Sequence, residues 1–400
     1  MSVPRALEGR VLVTDAGRGS ALAFIRSLHR AGMEVVAGDS RAGSPGFRSR
    51  HTAETLVYPD PLEHPGAYCG ALLAETKERA IDLVVPITDE TLVPLVAARE
   101  RFQGVALAIA PSESLDVAVD KRRTLARAEA LGIRIPRTQR VATTDEALGA
   151  ALGPGPVVLK PRRSRVVRDD GIDRLEVAYA RDRDGLRGAM AAFEGRCEVL
   201  LQEFVAGAGV GVEVLAHEGR ILAAFAHRRL REMPPHGGRS SMRESVDLDP
   251  ALFAPTQRLI KDLRYTGLAM VEWKAGTGAP ALMEVNGRVW GSLPLAVAAG
   301  MDFPARVASL YLQGPPGPGV PCNTDYARGV RGRNLVLDLK WTAAVAFGLR
   351  RVDFLPGPRR RDALRAVADL FDPRVHNDVQ SLRDPLPGLL ELWGLTRALR

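Results

Sequence analysis

At about 150 residues per domain, a chain of 400 residues holds two or three domains with a sizeable core. Hydrophobic residues make up 46% and charged residues 26%, which excludes a wholly disordered chain or a fibre. The net charge is +8, and only six of the 55 cations are lysines, so arginine carries the basic balance. Such a balance suits nucleic acid, an acidic membrane or a phosphate-bearing substrate, and arginine-heavy coding by itself also produces it.

Residues 10–110 read as alternating strands and helices. RVLVTDAG (Arg10–Gly17) is an apolar strand ending in a turn, and residues 20–31 carry helical apolar spacing up to Gly32. MEVVAGD (Met33–Asp39), IDLVVPITD (Ile81–Asp89) and VALAIAP (Val105–Pro111) read as further strands, with a helix from Glu90 to Phe102. Short buried strands alternating with helices predict a parallel, doubly wound sheet. Gly17 and Gly19 form a G-x-G without its third glycine, a weak dinucleotide signal that a tight strand-to-helix turn explains equally well. Asp39 is placed to hold a ribose, on equally weak grounds.

From Ser112 to Gly132 the pattern is a charged helical stretch. Strands are predicted at PVVLKP (Pro156–Pro161), LEVAYA (Leu175–Ala180), EVLLQEFV (Glu198–Val205), VGVEVLAH (Val210–His217) and RILAAFAH (Arg220–His227). TGLAMVEWK (Thr266–Lys274) and PALMEVNGR (Pro280–Arg288) form the last pair, and Pro315–Gly319 marks a linker. The remaining 80 residues read as helical and Arg-rich, with Arg350, Arg351, Arg359, Arg360 and Arg361 as the densest cluster. WTAAVAFGLRR (Trp341–Arg351) and LPGLLELWGLTRALR (Leu386–Arg400) are amphipathic, and packing on the main body is expected of them, with a membrane surface or a partner as alternatives. Cys69, Cys197 and Cys322 are too scattered for a zinc site or a disulfide framework. With no signal-type apolar core and no run of 18 apolar residues, a reducing cytoplasm and no transmembrane segment are expected.

The most informative segment is 266–292. Glu272 and Glu284 lie six residues either side of Gly278, in the turn Gly276–Pro280, so a hairpin of that register sets them directly opposite. Their Cβ atoms would then be roughly 4.5–5.5 Å apart. Asn286 and Arg288 follow at steps of two and share that face, while Val271, Trp273, Met283 and Val285 form the other. Like charges set opposite each other need an offset. A solvated face with salt bridges to Lys274 or Arg288 would supply it; so would a divalent cation held by two carboxylates and an amide oxygen. All-oxygen ligands suit Mg²⁺, completed by substrate phosphates. Lys160 at a buried strand end and Lys121 at a helix start are candidates for those phosphates, with a structural carboxylate the other partner for Lys160.

These features in order resemble the ATP-grasp superfamily, in the branch of carbamoyl-phosphate synthetase and biotin carboxylase. DKRRTLARAEALGIRIPRT (Asp120–Thr138), VVLKP, LLQEFVAGAGVGVEVL (Leu200–Leu215) and VEW…MEVNGRVWGS carry the resemblance over residues 112–312. It implies an α/β fold: a Rossmann-like pre-ATP-grasp domain over 1–111, then a two-lobed α+β ATP-grasp domain over 112–314. The lid lobe would span about 112–198 and the metal lobe 199–314, with an Arg-rich, helical C-terminal extension over 320–400. It also implies ATP with Mg²⁺, or Mn²⁺ in its place. Lys121 and Lys160 would contact the ATP phosphates, and Gln202, Glu203, Phe204 and Val205 would line the adenine, with backbone groups of Glu203 and Val205 reading its edge. Glu272, Glu284 and Asn286 would hold metal, and Arg288 would stabilise an acyl phosphate. Arg239 and Arg243, and less firmly His227, would contact substrate from the segment His227–Ser245, which otherwise reads as a solvated Arg-rich turn.

Two departures stand out. The loop Arg162–Gly171 has one glycine where relatives carry several, so arginines would have to replace backbone amides as the phosphate clamp, or the domain only binds nucleotide. Glycines also stand near Gly209 where relatives place a ribose carboxylate, with Glu213 the candidate substitute. The segment Asn286–Pro304 is most similar to the group that includes D-aspartate ligase. The activity this implies is ATP-dependent carboxylate–amine ligation through an acyl phosphate, acting on small molecules, with no nucleic acid and with a homodimer as an option. The alternatives are a bicarbonate-activating enzyme of the biotin-carboxylase or carbamoyl-phosphate type, a non-catalytic nucleotide binder, and an Arg-rich nucleic-acid or membrane-surface binder.

Overall fold

The computed structural model describes residues 7–150, 155–163, 165–168, 171–276, 278–349 and 352–398. Arg350, Arg351, Ser164 and Thr277, each part of a motif above, lie outside the described residues. Strands β1 (Arg10–Val13), β2 (Glu34–Asp39), β3 (Glu54–Val57), β4 (Leu83–Val85) and β5 (Ala106–Leu107) form a parallel sheet in the order β3-β2-β1-β4-β5. Successive residues of β1 alternate between two cores: Leu12 joins Val36 and Val84, while Val11 and Val13 join Val35, Leu83 and Val85. Burial on both faces explains the unbroken apolar runs, as expected for a doubly wound sheet. The edge strand β3 and the helix Pro65–Glu78 have no counterpart among the predicted elements. ETLV buries Leu56 and exposes Val57, so no apolar run announces it.

Further along, β6 (Thr138–Val141), β7 (Val157–Pro161), β8 (Arg165–Arg168), β9 (Gly171–Arg174), β10 (Ala178–Ala180) and β11 (Val199–Glu203) build an antiparallel sheet β10-β7-β11-β6 and a separate β8-β9 hairpin. The predicted strand over 175–180 is thus only its last three residues. The stretch 112–132 is two helices, Ser112–Ala118 and Lys121–Ala130. Asp120 separates them by capping the second, accepting from the N–H groups of Arg122 and Arg123.

The largest sheet has seven strands in the order β16-β15-β12-β13-β14-β17-β18. They are β12 (Ala208–His217), β13 (Arg220–Met233), β14 (Arg239–Ser245), β15 (Gly267–Ala275), β16 (Ala281–Asn286), β17 (Arg331–Arg333) and β18 (Val375–Asn377). Two expectations are corrected here. The strand predicted over 220–227 runs on to Met233, and the Arg-rich turn His227–Ser245 is the β13-β14 hairpin. Its inward arginines meet acids, Arg231 on Asp338 at 3.0 Å and Arg243 on Asp378, which lets a charged sequence form central strands. The last 80 residues hold three helices (Leu335–Phe347, Arg360–Leu370, Pro385–Ala398) but also β17 and β18, which extend the sheet.

The C-terminal segment returns to the N-terminal sheet through Asp384. This buried carboxylate accepts from Arg26 Nε (2.9 Å), Ser49 Oγ (2.8 Å) and the Arg50 N–H (3.0 Å). Burial pushes its carboxyl up, but these donors outweigh it and hold the group below the usual aspartate range. Its stabilisation is therefore present at neutral pH and lost as pH falls through that depressed value. Asp384→Ala is expected to cost about 3 kcal/mol at neutral pH, because it takes the carboxylate from the half-buried Arg26 and from the Ser49 and Arg50 donors. Urea titrations should show the difference from the parent shrinking in acid.

Candidate functional site

The hairpin β15-β16 has the expected register at its centre: Glu272 faces Glu284, Val271 faces Val285 and Met270 faces Asn286. A bulge follows, pairing Trp273 with Leu282, so Met283 is the extra residue and Leu282 replaces it in the core beside Val271, Trp273 and Val285. The bulge adds one residue to β16, and one residue reverses the alternation of faces.

On the other face the carboxylates find cations, though not those predicted. Glu284 lies 3.3 Å from Lys121 Nζ, and Glu272 lies 2.6 Å from Arg229 Nη2. Lys274 reaches Glu232 at 3.9 Å instead, and Arg288 reaches Asp89 at 2.9 Å. Arg229 also meets Glu232 at 3.0 Å. It sits on β13, two strands from Glu272, and reaches across β12 at the glycine positions: Gly211 pairs with both His227 and Glu272, and Gly209 pairs with Lys274. A Cβ on Gly209 would come within 2.9 Å of Arg229 Cδ. In the sequence these glycines stand out for the ribose carboxylate they lack; the small-residue gap they leave in a central strand is the signal that marks the path of Arg229.

Burial pushes both carboxyls up. Lys121, Lys160 and Arg229 pull Glu284 well down, whereas the charge on Glu284 helps keep Glu272 raised despite Arg229. Lys160 ends β7 with its side chain buried, and desolvation lowers its pKa to about 8 against the pull of Glu284. Lys121 is the first residue of the helix that Asp120 caps, which aims it at β16. Asn286 Nδ2 donates to Glu272 Oε1 (3.0 Å) and Glu284 Oε1 (3.4 Å), so its amide sits between the two carboxylates. Among the described residues, no three His, Cys, Asp or Glu side chains gather as a metal set. Glu272, Glu284 and Asn286 Oδ1, which here accepts from Arg288 Nη2 at 3.3 Å, are hard oxygen donors of the kind Mg²⁺ takes.

The remaining predicted residues divide. Gln202 is buried and donates from Nε2 to Thr138 Oγ1 at 3.0 Å. Glu203, Phe204 and Val205 line an open cleft of about 220 Å³ with Arg134, Lys274 and Gly276. The Glu203 and Phe204 N–H groups donate to the carbonyls of Arg137 and Pro156. Arg288 is tied to Asn286 Oδ1 (3.3 Å) and to Asp89, which opens the helix after β4, so the hairpin and the N-terminal sheet meet at this guanidinium. Arg239 is exposed at the start of β14, opposite Met233. Arg243 is fully buried on Asp378. His227 Nδ1 lies 2.5 Å from Glu213 Oε1, both fully buried. Burial drives the Glu213 carboxyl well up and the His227 imidazole well down. A Cβ on Gly211 would stand 2.6 Å from His227 Cε1, which reserves that position for glycine.

Three further expectations are revised by these contacts. Glu213 is spent on His227, inside the protein, and does not face a ribose. Arg162 lies 2.7 Å from Asp120 and Arg163 3.3 Å from Asp116, so both hold the helices before Lys160 rather than stand free as a phosphate clamp. Asp39 accepts from the Gly17 N–H (2.8 Å), Ser44 Oγ (2.9 Å) and the Arg41 N–H (3.1 Å), so it closes its own glycine turn. Sequence spacing does not single out Arg229 and Glu232, both on β13, or Asp89 after β4, because the residues they face, Glu272, Lys274 and Arg288, lie far away in the chain.

A family described as "ATP-grasp in the biosynthetic pathway with Ter operon" matches residues 196–330, a span that includes residues 202–205, Glu272, Glu284, Asn286 and Arg288. The carbamoyl phosphate synthase large chain of Deinococcus deserti is 27% identical over 239 residues, covering 56% of this chain and 22% of that one. The chain therefore spans about a fifth of that relative's length. The biotin carboxylase domain of 2-oxoglutarate carboxylase from Hydrogenobacter thermophilus, crystallised with MgADP, ADP and bicarbonate, superposes with a TM-score of 0.61 at 17% identity, over 81% of this chain and 73% of that one. L-amino acid ligase from Bacillus licheniformis gives 0.59 at 17% identity, over 76% and 74%. At such identities the likeness is one of fold.

Proposed function

We propose that this chain, which carries an ATP-grasp domain, is an ATP-dependent carboxylate–amine ligase working through an acyl phosphate. The observation that carries the reading is the convergence on one hairpin face of Glu272, Glu284 and Asn286 with Lys121 from a helix start and Lys160 from a strand end. The Ter-associated biosynthetic family and the fold likeness to an amino acid ligase support it.

In this reading Lys121 and Lys160 hold the ATP phosphates, and the cleft at Glu203–Val205 receives the adenine. A substrate carboxylate oxygen attacks the γ-phosphorus, the bond to ADP breaks, and an acyl phosphate forms. An amine nitrogen then attacks the acyl carbon, phosphate leaves, and the amine gives up a proton. Mg²⁺ held by Glu272, Glu284 and Asn286 would supply charge neutralisation during phosphoryl transfer. Arg288, oriented by Asp89, faces the same charge from the chain's own side, as a preorganised cation. Arg229 and Lys121, which now neutralise the two carboxylates, are the groups that nucleotide phosphates would draw toward themselves. A cytoplasmic location suits ATP as co-substrate and the free thiols of Cys69, Cys197 and Cys322.

Release of ADP screened over carboxylates and amines tests the reading. Turnover is expected only when both partners are present; ATP binding without ADP release across the panel would leave a nucleotide binder instead. A second test uses pH. Lys160 is charged below about 8 and neutral above it, so kcat/KM for ATP is expected to fall as pH rises through that value. Lys160→Arg keeps the charge and should remove that limb of the profile.

A further inference from the structure

Nine of the thirteen large apolar side chains exposed among the described residues lie between Phe347 and Trp393. They are ordered. On the helix Arg360–Leu370, Ala363 and Ala366 are buried, while Leu364 (73% exposed), Val367 (44%) and Phe371 (82%), just past its end, follow at steps of three and four. At about 100° per residue these three form one stripe, roughly a quarter-turn from the buried face. Arg361 and Arg365 border the stripe on its far side, and Arg360 stands at its N-terminal end, next to Arg359. The helix Pro385–Ala398 repeats the spacing with exposed Leu386, Leu389 and Trp393 and with Pro387 and Gly388 buried.

The charges beside the first stripe are one-sided. Asp369 and Asp372 are engaged by Arg331, and Asp369 also by Arg231, inside the sheet edge. Asp362 accepts from the Arg359 N–H at 2.8 Å and lies 3.8 Å from Arg365. Arg359, Arg360 and Arg361 are left as an exposed cationic border to an apolar ridge. A helix with packed, apolar and arginine faces, low in net hydrophobicity, matches what lies flat in a bilayer interface. A second copy of the chain fits less well, since an isologous contact over this ridge would set the two arginine clusters against each other. Nucleic acid would meet the arginines but leave the leucines and Phe371 unburied.

We propose that the helix Arg360–Leu370 docks the protein on the surface of an anionic lipid bilayer, with Leu364, Val367 and Phe371 entering the headgroup boundary and Arg359, Arg360 and Arg361 facing lipid phosphates. None of the residues of this surface is among those placed at the ATP site. Flotation of the full chain with phosphatidylcholine vesicles, with and without phosphatidylglycerol, tests it. Binding is expected only to the anionic vesicles and should weaken with salt. Replacing Arg359, Arg360 and Arg361 together by Gln should weaken it about a hundredfold, at about 1 kcal/mol per surface arginine. Leu364→Gln with Phe371→Gln should also abolish flotation while leaving the circular dichroism and ADP release unchanged, since both side chains are exposed. Absence of binding to anionic vesicles overturns the proposal. So does equal binding to both vesicle types, or a dimer in light scattering that Phe371→Gln dissolves without any vesicle binding.

Discussion

Glu284→Ala is expected to lower the rate of ADP release by on the order of 10²–10³, the range seen when one preorganised electrostatic partner of a transition state is removed. The size follows from where the residue stands. Glu284 is the carboxylate of the pair that Lys121, Lys160 and Arg229 pull down against burial, so those cations hold it ionised. Its loss removes a hard oxygen donor and also a 3.3 Å ion pair of the buried Lys121. Two readouts separate these effects. Loss of the Lys121–Glu284 ion pair lowers the unfolding midpoint with or without nucleotide. Loss of the metal donor removes the extra stabilisation that ATP gains from Mg²⁺ over ATP with a chelator. Glu272→Ala should act in the same direction and in addition free Arg229 from its 2.6 Å contact. Full activity in Glu284→Ala would refute the metal assignment and, with it, the phosphoryl-transfer site.

Arg243→Met is expected to destabilise the chain by about 3–5 kcal/mol, because it leaves Asp378 charged and unpaired in the interior. Burial already pushes the Asp378 carboxyl up, with Arg243 as its compensation. Pairing the change with Asp378→Leu should recover most of that loss, since a packed apolar pair replaces a buried ionic one at little cost. Denaturant titration of the two single variants and the double variant measures the coupling. The double variant also decides what Arg243 does. If the restored protein releases ADP at the parent rate, Arg243 is a link between the central sheet and the C-terminal strand; if stability returns and activity does not, Arg243 touches substrate as the family resemblance implies.

The hairpin shows how far local pattern reaches. Alternation along two strands and a short turn are properties of neighbouring residues, so the pairing of Glu272 with Glu284 was legible before any tertiary contact was known. The bulge at Met283 was not, because it depends on what packs behind the sheet. The parallel sheet was legible in its central strands, whose apolar runs reflect burial on both faces, but not in its edge strand β3, which is buried on one side only. The β13-β14 hairpin reads in sequence as a substrate-contacting loop or a solvated turn, because its arginines look soluble in isolation. Their acids, Asp338, Asp369 and Asp378, lie more than a hundred residues away.

Sequence alone therefore determined the class of the fold, the carboxylate pair, the placement of Asn286 and Arg288 beside it, and the two lysines as candidates for phosphate. Those features rest on spacing within single elements or on motifs in order. Only the tertiary structure decided which cation faces which carboxylate. Arg229 reaches Glu272 through the gap at Gly209 and Gly211, Lys121 takes Glu284, and Asp89 takes Arg288. Ion pairs are chosen by proximity in space, and a sheet whose neighbours come from distant parts of the chain sets that proximity by its strand order, which no local pattern encodes.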